Sequence, residues 1–196
     1  MTSGRNKQPS TAERLITAAR ECVIAVGWRR TTLTDVANRA GVSRMTVYRT
    51  YPDMTTLFAD LMTQEWLQVV SEVLPADADP RGPEQFATAI TGTVSAVRRN
   101  ELFRRAIDLD PEWLLPYLFV RRGRSQDAVL ELLATELARA QQDGSIRSGD
   151  PAQLARTIVL AAHGHVLSIA TMTDEDISTD SLDRELTELV RRYLTP

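Results

Sequence analysis

Residues 32–57, TLTDVANRAGVSRMTVYRTYPDMTTL, restrict what this chain can fold into more than any other stretch. Thr32 and Asp35 form a Thr-x-x-Asp box, in which the threonine takes a backbone N–H and the acid favours a helix N-terminus. Val36, Ala37 and Ala40 are spaced for one buried helical face. Gly41 can adopt the left-handed conformation that ends a helix and re-aims the chain. Ser43 is then a second N-cap, and residues 44–49 form a second short helix. Two short helices joined by a glycine turn predict a helix-turn-helix, whose second helix enters the DNA major groove.

The longer string TTLTDVANRAGVSRMTVYRTYPDMTTLF resembles the N-terminal signature of TetR-type transcriptional regulators, which reads roughly T-T-x-x-x-I-A-x-x-A-G-V-S-x-x-T-L-Y-x-H-F. Ala37, Ala40, Gly41, Val42, Ser43, Thr46 and Tyr48 match position for position. Thr50 stands where His is usual, Met54 where Lys is usual, and Met45 where Gly or Pro is common. Losing His and Lys removes two phosphate donors, for which Arg49 or the basic N-terminus would compensate.

The charge distribution agrees. The chain is net −3, but residues 1–51 carry nine basic side chains against three acidic ones. Salt screens charge over about 8–10 Å, so a distant acidic segment does not cancel that local field. The outward set on the second helix is Arg44, Met45, Thr46, Tyr48, Arg49 and Thr50, with Val42 and Val47 turned inward and Tyr51 where the family has Phe. By resemblance, Arg44 and Met45 read base edges while Thr46, Tyr48 and Thr50 clamp phosphates, with Thr32 and Ser43 at the helix starts. The chemistry suits those roles: a guanidinium fits guanine O6 and N7, and a thioether packs on a thymine methyl. Tyr48 can equally be a structural aromatic. Arg29 and Arg30 either reach a phosphate or are simply solvated.

With 196 residues, 43% of them hydrophobic and 25% charged, the chain can bury a core. One Cys excludes an internal disulfide and fits a reducing compartment. Cys22 lies on the apolar stripe of the first helix and reads as core. The most apolar segment, residues 158–170, is interrupted by His163, Gly164 and His165 and is shorter than the roughly 20 residues of a membrane span. MTSGRNKQPS carries no signal-peptide hydrophobic region. These features predict a cytoplasmic protein with no membrane contact.

Periodicity predicts an all-α chain. Residues 1–10 form a flexible basic tail, 11–52 the DNA-binding head, and 53–196 a helical C-terminal domain, with the Pro/Asp/Gly loop at 75–83 as the clearest boundary. Helices are expected at 11–26, 53–74, 84–99, 101–109, 117–142, 151–171 and through the C-terminus, with breaks forced by Pro111 and Pro116. The resemblance implies that the body encloses an effector cavity and that its last two helices form a four-helix dimer bundle. Trp66, Phe86, Phe103, Trp113, Tyr117 and His163 are candidate lining residues for a small hydrophobic or amphipathic effector, or else ordinary core. Ala155 and Ala162 permit close helix approach, while Leu182, Leu186, Leu189 and Tyr193 form an apolar stripe that either pairs two copies or completes one core.

His163 and His165 at i, i+2 point to different helix sides, and no further ligand stands nearby, so no metal is expected. No phosphate loop, serine elbow or carboxylate pair suggests catalysis or a cofactor. The expected function is a homodimeric DNA-binding repressor released from double-stranded operator DNA by an effector. The alternative is a ligand-independent or co-repressor-assisted regulator whose aromatic body is core.

Overall fold

The first helices all begin at side-chain caps. In the computed structural model, which describes residues 9–74 and 80–196 apart from the Trp113 side chain, α1 (Thr11–Val26) opens on a capping box between Ser10 and Glu13. The second helix, α2 (Leu33–Ala40), opens on the expected box: Thr32 Oγ1 accepts from the Asp35 N–H, and Asp35 Oδ2 accepts from the Thr32 N–H. Those bonds hold the Asp35 carboxyl below its ordinary pKa. Gly41 ends α2 at φ 64°, ψ 40°, and Ser43 Oγ accepts from the Thr46 N–H to start α3 (Arg44–Thr50). Asp53 accepts from the Thr56 N–H at the start of α4 (Met54–Val73).

The remaining elements are α5 (Pro83–Arg99), α6 (Glu101–Leu109), a 3₁₀ turn (Pro111–Trp113), α7 (Leu115–Phe119), α8 (Arg124–Gln142), α9 (Pro151–Ser168) with a 3₁₀ turn (Ile169–Thr171), and α10 (Thr179–Leu194). No strand occurs among the described residues. The expected helix 117–142 is in fact two. Pro116 stands in the first turn of α7, which runs little more than one turn to Phe119, and Gly123, disfavoured inside a helix by about 1 kcal/mol, precedes α8.

The chain forms two compact units. The first contains residues up to Thr63 together with Glu101–Gly123, and the second contains Gln64–Asn100 with Arg124–Pro196. The units therefore divide within α4, not at the 75–83 loop, and residues 101–123 belong with the helix-turn-helix rather than with the rest of 53–196. Residues 1–8 of the expected tail and 75–79 of that loop lie outside the described residues.

In the first unit, Leu15, Val23, Val36, Val47, Leu57 and Leu61 are all but completely buried, and Trp28 packs on Phe58 with ring centroids 4.1 Å apart. Cys22 is buried here, which pushes its thiol pKa up. In the second unit, Phe86, Ala87 and Val94 of α5 pack with Leu137, Leu154, Ala155, Ile158, Leu186, Val190 and Leu194. Polar bonds tie α5 to α10: Thr91 to Thr187, Ser95 to Asp183, and a two-pronged contact from Arg98 to Asp183.

This packing corrects the dimer-face assignment at Ala155 and Leu186. Ala155 and Leu186 are buried in the unit's own core, and Ala162, Leu182 and Tyr193 are half-buried, Ala162 and Tyr193 against that same core. Of the residues assigned to the face, only Leu189 is exposed, at 55%. The physical reason is that α9 is apolar on two faces. Leu154, Ala155 and Ile158 turn inward, while Leu160, at 73% exposed, shares the opposite face with Gly164 and Leu167. Pro151–Thr171 is 21 residues long and contains an 18-residue stretch of mean hydropathy 1.2, of which 22% is buried. By length and composition it could cross a membrane, contrary to the shorter span read from residues 158–170.

Candidate nucleic-acid interface

The helix-turn-helix puts one buried residue at the centre of α3 and turns most of its polar and basic side chains outward. Val47 is completely buried and Tyr51 nearly so, which fixes the rotation of α3 about its axis. Met45 is then 78% exposed and Tyr48 52%, both unusual for such residues on a folded surface. Arg44 and Arg49 are exposed and have no ion-pair partner among the described residues. These four side chains form one outward surface, with donors for phosphates and guanine and a thioether for a methyl group.

The hydroxyl candidates behave differently. Thr32 Oγ1 donates to Asp35 Oδ2 at 2.6 Å, and Thr50 Oγ1 donates to the Thr46 carbonyl at 3.0 Å. Each has spent its only proton internally. Ser43 and Thr46 share one hydrogen bond between their hydroxyls at 2.9 Å, leaving one O–H of the pair to donate elsewhere.

Most other arginines of the head are structurally engaged. Arg39 pairs with Glu21 at 3.1 Å, and Arg20 lies 3.7 Å from Glu101. Arg30 Nε donates to the Val26 carbonyl. Arg14 Nη2 reaches the carbonyls of Ala40 and Gly41 at the helix-turn-helix turn. Arg29 pairs with Glu112 and faces Asp110, so its charge is satisfied within the unit rather than held out for a phosphate.

A polar seam joins α6 to α1 inside this unit, and no sequence motif announces it. Asp110, 5% exposed, accepts from the N–H groups of Trp28 at 2.7 Å and Arg29 at 3.4 Å. Arg105 Nε donates to the Ile24 carbonyl at the end of α1. Gly27 sits at φ 85°, and a Cβ there would lie 2.9 Å from the Asp110 carboxylate, so glycine is required twice over. Including residues 52–63 and 101–123, whose acids outnumber their bases by two, lowers the net charge of the unit from the +6 of residues 1–51 to +4.

The effector candidates divide between the units. Trp66 and His163 are half-buried and Phe86 is core in the second unit; Phe103 is buried and Tyr117 half-buried beneath the Arg121 guanidinium in the first. The Trp113 side chain lies outside the described residues. Burial pushes the His163 pKa down. A surface cleft between α1 and α2 is lined by Cys22, Ala25, Val26, Asp35, Asn38 and Arg39, none of them an effector candidate.

The family model described as bacterial regulatory proteins, tetR family, matches residues 15–61. An HTH-type transcriptional regulator of Mycobacterium tuberculosis (strain ATCC 25618 / H37Rv) is 36% identical over 194 residues, spanning 99% of this chain and 100% of that protein. One from Mycobacterium bovis (strain ATCC BAA-935 / AF2122/97) has the same identity and coverage. Among solved structures, the R. erythropolis transcriptional repressor QsdR, from the TetR family, has TM-score 0.69 at 16% identity, covering 95% of this chain and 96% of that one. The SmeT–triclosan complex has TM-score 0.61 at 19% identity, covering 96% and 93%. At such identities the structural likeness is one of fold; the family follows from the full-length mycobacterial relatives and the matched head. The chain belongs to the tetR family of bacterial regulatory proteins and is a helix-turn-helix, DNA-binding regulator of transcription.

Proposed function

We propose that the protein is a cytoplasmic homodimeric repressor that leaves its operator when a small hydrophobic or amphipathic effector binds. Base reading falls to Arg44 and Met45, backbone positioning to Tyr48 and Arg49, and the remaining O–H of the Ser43–Thr46 pair supplies a further donor. A dimer is required because one seven-residue helix spans too few base pairs for useful specificity. The exposed face Leu160, Gly164 and Leu167 of α9, together with Leu189 of α10, is the surface a second copy covers. The same pairing accounts for the apolar outer face of α9 without a membrane.

The observation that carries effector release is the α6 seam. A ligand that displaces α6 by an ångström must strain four links to α1 and the α1–α2 loop: Glu101–Arg20, Arg105–Ile24, Asp110–Trp28 and Glu112–Arg29. The ligand need only prefer the displaced state by a few kcal/mol to shift DNA occupancy. A fold relative, SmeT, was solved with triclosan bound, which favours amphipathic aromatics as first candidates. The burial of Phe86 and Phe103 as ordinary core favours the second reading, a regulator without an effector.

A thermal-shift screen of amphipathic compounds, followed by fluorescence anisotropy on operator DNA, separates the two. A compound that raises Tm and weakens operator binding supports release. Compounds that never do both leave the ligand-independent regulator.

A further inference from the structure

The last fixed point before the recognition helix is the turn that ends α2. There the Val42 N–H bonds to the Ala37 carbonyl at 3.1 Å and the Gly41 N–H to the Asn38 carbonyl at 3.3 Å, with Gly41 left-handed. This pair of bonds satisfies the carbonyls of residues 37 and 38 but not those of Ala40 and Gly41. Arg14, in the second turn of α1, supplies the missing donor. Its Nη2 lies 2.5 Å from the Ala40 carbonyl oxygen and 3.3 Å from that of Gly41, across 26 residues of chain. Only Val42 and Ser43 separate this anchored turn from α3. The cation also sits at the C-terminal end of α2, where the helix dipole favours it.

We propose that Arg14 is a positioning residue for sequence-specific DNA binding: its guanidinium clamps the turn that aims α3, holding Arg44 and Met45 in register with the base edges. The proposal rests on the reading of α3 as the base-reading helix. Arg14 is exposed and stands outside the core of Leu15, Val36 and Val47. Removing it therefore loosens the turn without opening a cavity. A hydrogen bond to a base edge weakens steeply with angle and distance, so a small swing of α3 is read out as lost specificity. Phosphate contacts, which tolerate displacement, are spared.

The test uses the full chain, a duplex that the wild-type protein selects from a random-sequence pool, and a scrambled duplex of equal length. Affinities are measured by anisotropy across a salt series, below the unfolding temperature found for each variant by circular dichroism. Arg14→Gln should bind the selected duplex about tenfold more weakly, with affinity and salt slope on the scrambled duplex unchanged. Arg14→Lys, with one flexible ammonium in place of a planar fork, should recover part of the loss. Equal weakening on both duplexes, with a slope shallower by about one per protomer, would make Arg14 a phosphate contact and overturn the proposal. Unchanged affinity for both duplexes overturns it as well. If Arg14→Gln does not fold, the Arg14→Lys comparison with wild type decides by the same criteria. Arg44→Ala is the control: if it leaves every base preference intact, the reading of α3 fails and takes the proposal with it. A normal Arg44→Ala response with a silent Arg14 sinks the proposal alone.

Discussion

Arg39 and Arg44 are five residues apart and chemically identical, yet one is paired to Glu21 and the other has no carboxylate partner among the described residues. An unpaired arginine on the outer face of α3 is available to a guanine, and its loss should be local in sequence space. Arg44→Ala should relax preference at one base pair per half-site and cost about 1–3 kcal/mol there, measured by competition against single-base operator changes. Tyr48→Phe should weaken operator and scrambled DNA almost equally, because a phosphate contact carries no base information directly. Reversed patterns would mean that α3 docks differently. A second residue-scale effect concerns His163, whose pKa burial lowers below the usual 6.5. Between the folded and unfolded pKa values the unfolded chain binds more protons, so stability rises with pH. The contribution is complete above the unfolded pKa and is lost as pH falls below about 6.5 toward the folded value. Thermal unfolding followed from pH 7.5 to 5.5 should show a decline in Tm that His163→Gln flattens.

Residues close together on one helix can have different fates, because the buried stripe has an edge. On α10, Leu186 is buried while Leu189, three residues on, is exposed. Leu186→Asp places a charge in the core of α5, α9 and α10 and should cost about 3 kcal/mol or more, visible as a large drop in Tm. The pair Leu160→Glu and Leu189→Glu should instead leave helicity intact and give monomers by light scattering. A dimer that survives the pair would place the interface elsewhere. Just past α6, Asp110→Ala leaves the half-buried Trp28 N–H without its acceptor and frees the α1–α2 loop. Operator affinity should fall while the C-terminal unit keeps its circular-dichroism signal. An unchanged affinity would mean that the seam holds α6 without bearing on the head.

At the scale of the whole molecule, the net charge of −3 conceals a basic head unit. Much of that unit's positive charge is internally paired through Arg20, Arg29 and Arg39. Operator affinity should still fall steeply with salt, with a log–log slope of about −0.9 per phosphate neutralised. Arg49 is the charged phosphate contact assigned to α3, so in the proposed dimer the slope should be set by a handful of phosphates rather than by every basic residue of the head. A flat dependence in an anisotropy titration would exclude the phosphate-positioning role given to α3.

Features whose partners lie within a few residues were legible in the sequence. The Thr32–Asp35 box, the Ser43 cap and the left-handed Gly41 all appear as read, because each is decided by local backbone chemistry. Burial of Val47 and Cys22 followed from helical spacing for the same reason. Periodicity could not say which of two apolar faces on α9 turns inward, since both satisfy the same pattern, and so Ala155 was assigned to a surface it does not reach. Nor could it join Arg14 to Ala40 or Asp110 to Trp28, pairs 26 and 82 residues apart that share no motif. Those contacts, and with them the membership of residues 101–123 in the DNA-binding unit, were decided only by tertiary packing: it carries the exposed Arg14 guanidinium to the carbonyls that end α2, and it pairs the buried Asp110 carboxylate with backbone N–H groups, because an unpaired charge in the interior costs more than it does in solvent.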